Sequence, residues 1–221
     1  MAPLFTGRTF GFGRSAAVAG LAIGDAYQGG FFAGAISHTA NGVATHALIV
    51  APAATGATGT GYTLTTDKPW KTSNTTTAGT TSAYDGAVNS AAMNDANHPA
   101  AQFCEGLSIG GFTDWYLPAR DELEIAYYNL KPTTGSNFTS YGINAYSVPA
   151  RGSNYTSGTP AQTTVTAFQT GNSEAFVAGA HWSSTEFSST LAWEEYFNDG
   201  GQGNNNKTTN NRVRAFRKVA L

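Results

Sequence analysis

The chain contains few side chains able to do bond-making chemistry, and their spacing argues against catalysis. Its histidines, His38, His46, His98 and His181, are dispersed. None sits in an H-E-x-x-H pattern, and no G-x-S-x-G turn is present to present a serine nucleophile. Asp114 and Glu122 are the one pair of carboxylates near enough in sequence to act as acid and base in the manner of a glycosidase. An Asp before Trp at a strand end and a Glu in a first helical turn are more often structural. Cys104 is the single cysteine, which rules out an internal disulfide and a zinc site of several thiolates. It falls on a helical stripe with Ala100, Phe103 and Leu107 and reads as a small buried hydrophobe. Gly110-Gly111 lacks the context of a phosphate loop.

Adhesive side chains point instead to binding. In the segment from Trp193 to Asn198, period-two alternation puts Trp193, Glu195 and Phe197 on one face and Glu194, Tyr196 and Asn198 on the other. The first face, with two large aromatics, is expected in the core and the second in solvent. A carboxylate between two core aromatics needs a partner, so Glu195 is expected to bond Arg212 or Arg214 on the returning strand.

These groups must be positioned by an ordinary globular core. The chain has 221 residues, 41% of them apolar and 12% aromatic, but only 12% charged; soluble domains carry about 25%. The net charge of -2 supports neither a basic nucleic-acid surface nor an acidic tail. Surface polarity must come from Thr, Ser, Asn and Gly, as in secreted or virion-exposed proteins. No apolar run approaches the roughly 18 residues that span a bilayer, so no membrane insertion is expected. Ala16–Gly24 is mostly Ala and Gly, and Phe5, Phe10 and Phe12 occupy what would be the n-region of a signal peptide. Residues 1–22 read as an assembly arm whose aromatics need another surface, with a disordered tail as the alternative, and 23–221 as the folded domain.

Within that domain, 31–37 and 44–50 flank a polar turn at 39–42 as a hairpin would. The stretch 53–61 reads as a loop, and 67–71 ends a short strand. Helices are expected from Asp85 to about Asn94, from Pro99, and after Leu117-Pro118 with Leu123, Ala126, Tyr127 and Leu130 on the buried face and Lys131-Pro132 at the end. The stretch 133–175 reads as long loops around short strands. The Asn/Gly-rich segment from Asp199 to Asn211 reads as a loop between two antiparallel strands.

Three ordered pieces carry a family resemblance: Gly111-Phe112-Thr113-Asp114-Trp115-Tyr116-Leu117-Pro118-Ala119-Arg120-Asp121-Glu122-Leu123; His181-Trp182-Ser183-Ser184-Thr185-Glu186; and Ala192-Trp193 through Arg212-Val213-Arg214-Ala215-Phe216-Arg217. Together they resemble the Lcl-like domains of the C-type lectin fold. The resemblance implies an α+β domain with short antiparallel sheets, two or three helices, long loops, and N- and C-terminal strands close in space. The Asn-dense ending is similar to the variable regions of phage receptor-binding proteins diversified by retroelements. That likeness implies a homotrimeric tail-tip or tail-fibre protein of the virion. Its partners would be other tail proteins, through residues 1–20, and a host cell-surface protein or glycan. A structural or decoration protein of the virion is the alternative, discriminated by adsorption to host surfaces.

On the resemblance, the ligand-binding positions would include Phe187, Ser189, Leu191, Glu194, Tyr196, Asp199, Thr208 and Thr209, with Ser188, Thr190, Gly201 and Gly203 also variable. Phe187, Leu191 and Tyr196 are the expected anchors. The scaffold would include Trp115, Trp182, Trp193, Glu195, Phe197, Arg212 and Arg214. The Glu-Pro-Asn and Trp-Asn-Asp signatures of calcium-dependent sugar binding are missing, so no metal or other cofactor is expected. A formylglycine-generating activity, found elsewhere in this fold, would need a cysteine pair that the chain lacks.

Overall fold

The computed structural model describes residues 20–59 and 66–221. The arm expected over residues 1–22 falls almost entirely outside the described residues. Among the described residues, ten strands and four α-helices follow in order: β1 (Ala26–Tyr27), β2 (Gly30–Ile36), β3 (His46–Val50), α1 (Ala53–Gly56), β4 (Lys68–Pro69), α2 (Gly86–Ala91), α3 (Pro99–Glu105), α4 (Arg120–Leu130), β5 (Ser147–Val148), β6 (Ala180–Glu186), β7 (Leu191–Tyr196), β8 (Gln202–Asn206), β9 (Asn210–Asn211) and β10 (Phe216–Ala220). The ladders are antiparallel and form three sheets: β1-β2-β3-β10 with β5 on β2, the pair β4-β9, and β6-β7-β8. This is the α+β arrangement of short antiparallel sheets, helices and long loops expected of a C-type lectin-like domain.

β3 explains the layering. Its sequence His-Ala-Leu-Ile-Val is apolar on both faces because both faces are covered. Ala47 and Ile49 enter a core built on Trp70, Trp115, Trp182 and Val213. Leu48 and Val50 enter a second core with Leu123, Ala126, Tyr127 and Leu130 of α4, together with Phe197 and Phe216. The sheet thus divides two cores. α4 lies so close to β2 that Gly34, at φ +141°, admits no side chain: a Cβ there would fall 2.6 Å from Asn129 Nδ2. Asn129 instead donates to the Ala33 carbonyl at 2.8 Å. The register shift between Phe32 and Gly34 marks the same place.

β10 runs antiparallel to β3 along its whole length, from Phe216↔Val50 to Ala220↔His46, so the N- and C-terminal strands share a sheet as expected. Its partner differs from the expected one. The edge of β7 is taken by β8, with Leu191↔Asn206 through Glu195↔Gln202 in register. Asn and Gly are depleted from strands, so Gln-Gly-Asn-Asn-Asn reads as a loop, yet the free edge of β7 supplies the ladder that makes it one. The start of the expected 53–61 loop is the short helix α1.

The long loops are fastened by buried lysines. Lys131, at the end of α4, donates to Gly135 O at 2.6 Å, Asn137 Oδ1 at 2.7 Å and Pro160 O at 3.2 Å. Lys71 donates to Thr75 O, Thr76 O and Thr77 Oγ1. A buried ammonium provides three donors to carbonyls that no ladder satisfies, and a protein with few charges uses them internally.

Candidate functional site

The Trp182–Glu186 strand supplies much of the framework. Trp182 Nε1 donates to Lys68 O at 3.0 Å, Ser183 Oγ to Trp193 O at 3.0 Å and Thr185 Oγ1 to Ser82 O at 2.9 Å. Asn89 Nδ2 donates to Ser184 Oγ at 3.3 Å. The Glu186 carboxylate accepts from the Thr77 N–H, from Thr80 Oγ1 and from Lys207 Nζ. These side chains tie β6 to β4, to β7, to α2 and to the segment between β4 and α2.

The 111–123 segment is joined to the chain end by Asp114, which accepts two bonds from Arg217, Nε to Oδ1 at 2.7 Å and Nη2 to Oδ2 at 2.9 Å. The Arg217 guanidinium lies 4.0 Å over the Phe112 ring. Glu122 closes the N-terminus of α4, since Ala119 has no side-chain acceptor. Its Oε2 accepts the Ala119 N–H at 2.8 Å and the Gly86 N–H at 3.2 Å, and Tyr116 donates to Oε1 at 2.9 Å. Burial pushes the Glu122 carboxyl up to about 8 against these donors. Both members of the Asp114/Glu122 pair thus have architectural partners.

The expected binding residues fall into two groups and a misplaced one. Phe187 and Ser189 lie on the β6–β7 turn and Leu191 opens β7 beside it, while Thr208 and Thr209 lie on the adjoining β8–β9 turn. The turns are joined by the Lys207 N–H, which donates to Thr190 O, and by Lys207 Nζ, which donates to Ser189 O at 3.0 Å. Phe187 is 48% exposed. Its ring meets Trp193 edge-on at 5.0 Å, and Arg120 lies 5.1 Å over the Trp193 ring. The half-buried Trp193 therefore belongs to a surface stack with Phe187 and Arg120 rather than to the core.

The second group is at the far end of β7. Tyr196 and Asp199, with Gly201 and Gly203, line an open cleft of about 230 Å³. Phe138 and Tyr141, from the long loop between α4 and β5, form its other wall, their rings 5.5 Å apart. Sequence reasoning missed these two, because isolated aromatics in a Thr/Gly/Asn stretch carry no periodic signal. Asn137 beside Phe138 is held in place by Lys131 and Tyr127, a tether visible only in the structure.

Glu194 is the misplaced residue. It is 2% exposed rather than on an open face. The middle of β7 is enclosed on both sides, by α4 on the side of Glu195 and by Asn211 of β9 on the side of Glu194, although Trp193 and Tyr196 remain half-buried. Glu194 Oε1 accepts from Tyr196 Oη at 2.6 Å and Oε2 from Asn211 Nδ2 at 2.5 Å. The expected bond from Glu195 to Arg212 or Arg214 is absent as well, because β8 occupies the edge where those arginines were placed. Arg212 bridges to His181 on the other side of the sheet, and Arg214 pairs with Glu174 at 2.9 Å. Glu195 is buried, as are Trp115, Trp182, Phe197, Arg212 and Arg214.

Among the described residues, no group of three or more His, Cys, Asp or Glu is placed to hold a metal ion. None of their helices is long and apolar enough to cross a membrane. Cys104 is buried, and desolvation raises its thiol well above the ordinary range. What the surface offers is a rigid aromatic stack at one end of β7 and an aromatic cleft at the other. Such surfaces bind by shape and desolvation.

No curated protein matches the chain. The family model for the Lcl C-terminal domain matches residues 59–217, a span that contains all three of the motifs above and the sheet carrying the stack and cleft. The chain belongs to the Lcl C-terminal domain family.

Proposed function

We propose that this domain is a binding module, not an enzyme, and that it serves as the receptor-binding protein of a phage tail. In this reading it attaches the virion to a host-surface protein or glycan, works as a homotrimer, and joins other tail proteins through residues 1–20. The resemblance of the Asn-dense ending to retroelement-diversified regions supports the phage assignment. The observation that carries the binding reading is the exposure of Phe187 on a turn that a buried lysine holds fixed. An exposed aromatic with a preorganised support loses little entropy on binding.

The test is adsorption of labelled full-length protein to a panel of bacterial surfaces. At least one surface should retain the protein. Phe187→Ala and Leu191→Ala should each weaken retention about fivefold or more, the equivalent of roughly 1 kcal/mol at a hot spot, with melting temperature nearly unchanged. Retention equal to wild type in both variants on every surface would refute the assignment of this face.

A further inference from the structure

The cleft at the other end of β7 has a chemistry of its own. Its walls are aromatic, with Tyr196 on one side and Phe138 and Tyr141 on the other. Phe138 is 50% exposed, although the loop that carries it is tied down by Lys131 and Asn137. The floor is bare backbone. A Cβ on Gly203 would lie 2.8 Å from Tyr196 Cε2, so that position keeps the ring's place only as glycine.

Polar groups lie at the rim. Asp199 Oδ1 accepts the Gly201 N–H at 3.0 Å, while Oδ2 has no protein partner among the described residues. The Tyr141 hydroxyl has none there either. The Tyr196 N–H donates to Gly201 O, which makes 196/201 and 194/203 the hydrogen-bonded pairs of the ladder. Gln202 then lies at a non-hydrogen-bonded position, with its backbone N–H and C=O on the outer edge of β8. No Lys or Arg lines the cleft.

The geometry points to a binding subsite for one neutral sugar ring, such as a hexopyranose unit of a surface glycan, seated between Tyr196 and the Phe138–Tyr141 pair. A pyranose has an apolar C–H face that packs on the electron-rich face of an aromatic ring and an equator of hydroxyls. Those hydroxyls would donate to Asp199 Oδ2 and exchange bonds with the Tyr141 hydroxyl and the Gln202 edge. The volume of about 230 Å³ falls below the roughly 300–1,000 Å³ of clefts that bury drug-sized ligands, which suits a single ring. The Asp199 charge reaches the buried Lys131 ammonium behind it, but with no Lys or Arg lining the cleft its carboxylate selects against uronic acids, sulfates and phosphates.

The probe is a titration of the isotope-labelled full chain with methyl glucoside, galactoside, mannoside and N-acetylglucosaminide, followed through its amide resonances. Glucuronate and glucose 6-phosphate are the anionic counterparts. At least one neutral glycoside should shift the Gly201 and Gly203 signals saturably, in the millimolar range. Tyr196→Ala and Tyr141→Ala should each weaken that binding at least fivefold, while Tyr196→Phe, which keeps the ring, should retain it. The anionic sugars should bind at least tenfold more weakly and gain on Asp199→Asn. No shift with any neutral glycoside, shifts confined to other regions, or equal binding of the anions would each overturn the proposal. No cell surface and no Phe187 variant enters this titration, so it fails independently of the adsorption reading.

Discussion

Glu194 and Glu195 follow each other along β7, are both buried, and stand on opposite faces of one sheet in opposite states of satisfaction. Glu194 holds Asn211 and Tyr196 through its two oxygens. Neither oxygen of Glu195 has a hydrogen-bond partner among the described residues. Gln202 is its cross-strand neighbour, but its Nε2 is also without a properly placed partner. Arg120, Asp121 and Glu124 face Glu195 from α4.

Glu194→Ala should therefore destabilise the fold. It leaves the Asn211 amide and the Tyr196 hydroxyl without their acceptor at the junction of β7 with β9. Hydrogen bonds to charged groups contribute about 1.5–3 kcal/mol, and a loss of that size should appear as a lower urea midpoint. A variant as stable as wild type would mean that water replaces the carboxylate and that this junction is open.

Glu195 gives a prediction of opposite sign. Desolvation first, and then the Glu124 charge, raise its carboxyl well above the ordinary range. Between the unfolded value near 4.5 and the raised folded value, the folded state binds more protons, so this group's contribution falls as pH rises. Relative to Glu195→Gln, the wild type should lose about 1.4 kcal/mol of stability per pH unit in that window. Urea unfolding of both proteins at pH 5, 6 and 7 measures the difference. Parallel curves would show that Glu195 finds a partner in solution.

Much of this fold is legible in the sequence, for identifiable reasons. The β2/β3 hairpin and α4 announce themselves by apolar runs, a polar turn, and prolines placed at 118 and 132. The pairing of Glu194 and Glu195 with their surroundings is not legible. Alternation correctly predicts that they part, but which faces are covered depends on β9 and α4, which are remote in sequence. β8 is hidden by its Asn and Gly content, and Phe138 and Tyr141 by the lack of any period around them.

Lys207 should prove to be a principal fastening of the candidate stack. It is fully buried, lies 4.8 Å over the Trp70 ring, and donates to Glu186, Thr75 O and Ser189 O. Lys207→Met removes the cation and leaves the mostly buried Glu186 carboxylate without it, a change that costs about 3–5 kcal/mol in buried pairs. Adding Glu186→Gln should recover part of the loss, because the stranded charge is then gone. If the double variant is no more stable than the single one, the lysine acts through its packing and its carbonyl contacts rather than through the ion pair.

His181 should oppose Glu195 in the pH profile. Its ring is buried against Phe197, with centroids 4.8 Å apart, and Nδ1 lies 3.1 Å from the Gly179 carbonyl, which fixes Nδ1 as the protonated nitrogen of the neutral ring. Desolvation lowers its pKa to about 3, the Arg212 and Arg214 charges adding to the effect and the Gly179 carbonyl opposing it. Here the unfolded chain binds the extra proton between about 6.5 and about 3, so stability from this site is present above pH 6.5 and lost as pH falls through the window. Against His181→Gln, which cannot titrate, the wild type should lose about 1.4 kcal/mol for each pH unit below 6.5. Comparing the two variants separates the signs: Glu195→Gln should gain on wild type as pH rises, and His181→Gln as pH falls. If the His181→Gln difference stays constant from pH 7 to pH 4, the imidazole is protonated within the fold. A cation would then lie beside Arg212 and Arg214, and the His181 pocket would be more open to water than the geometry shows.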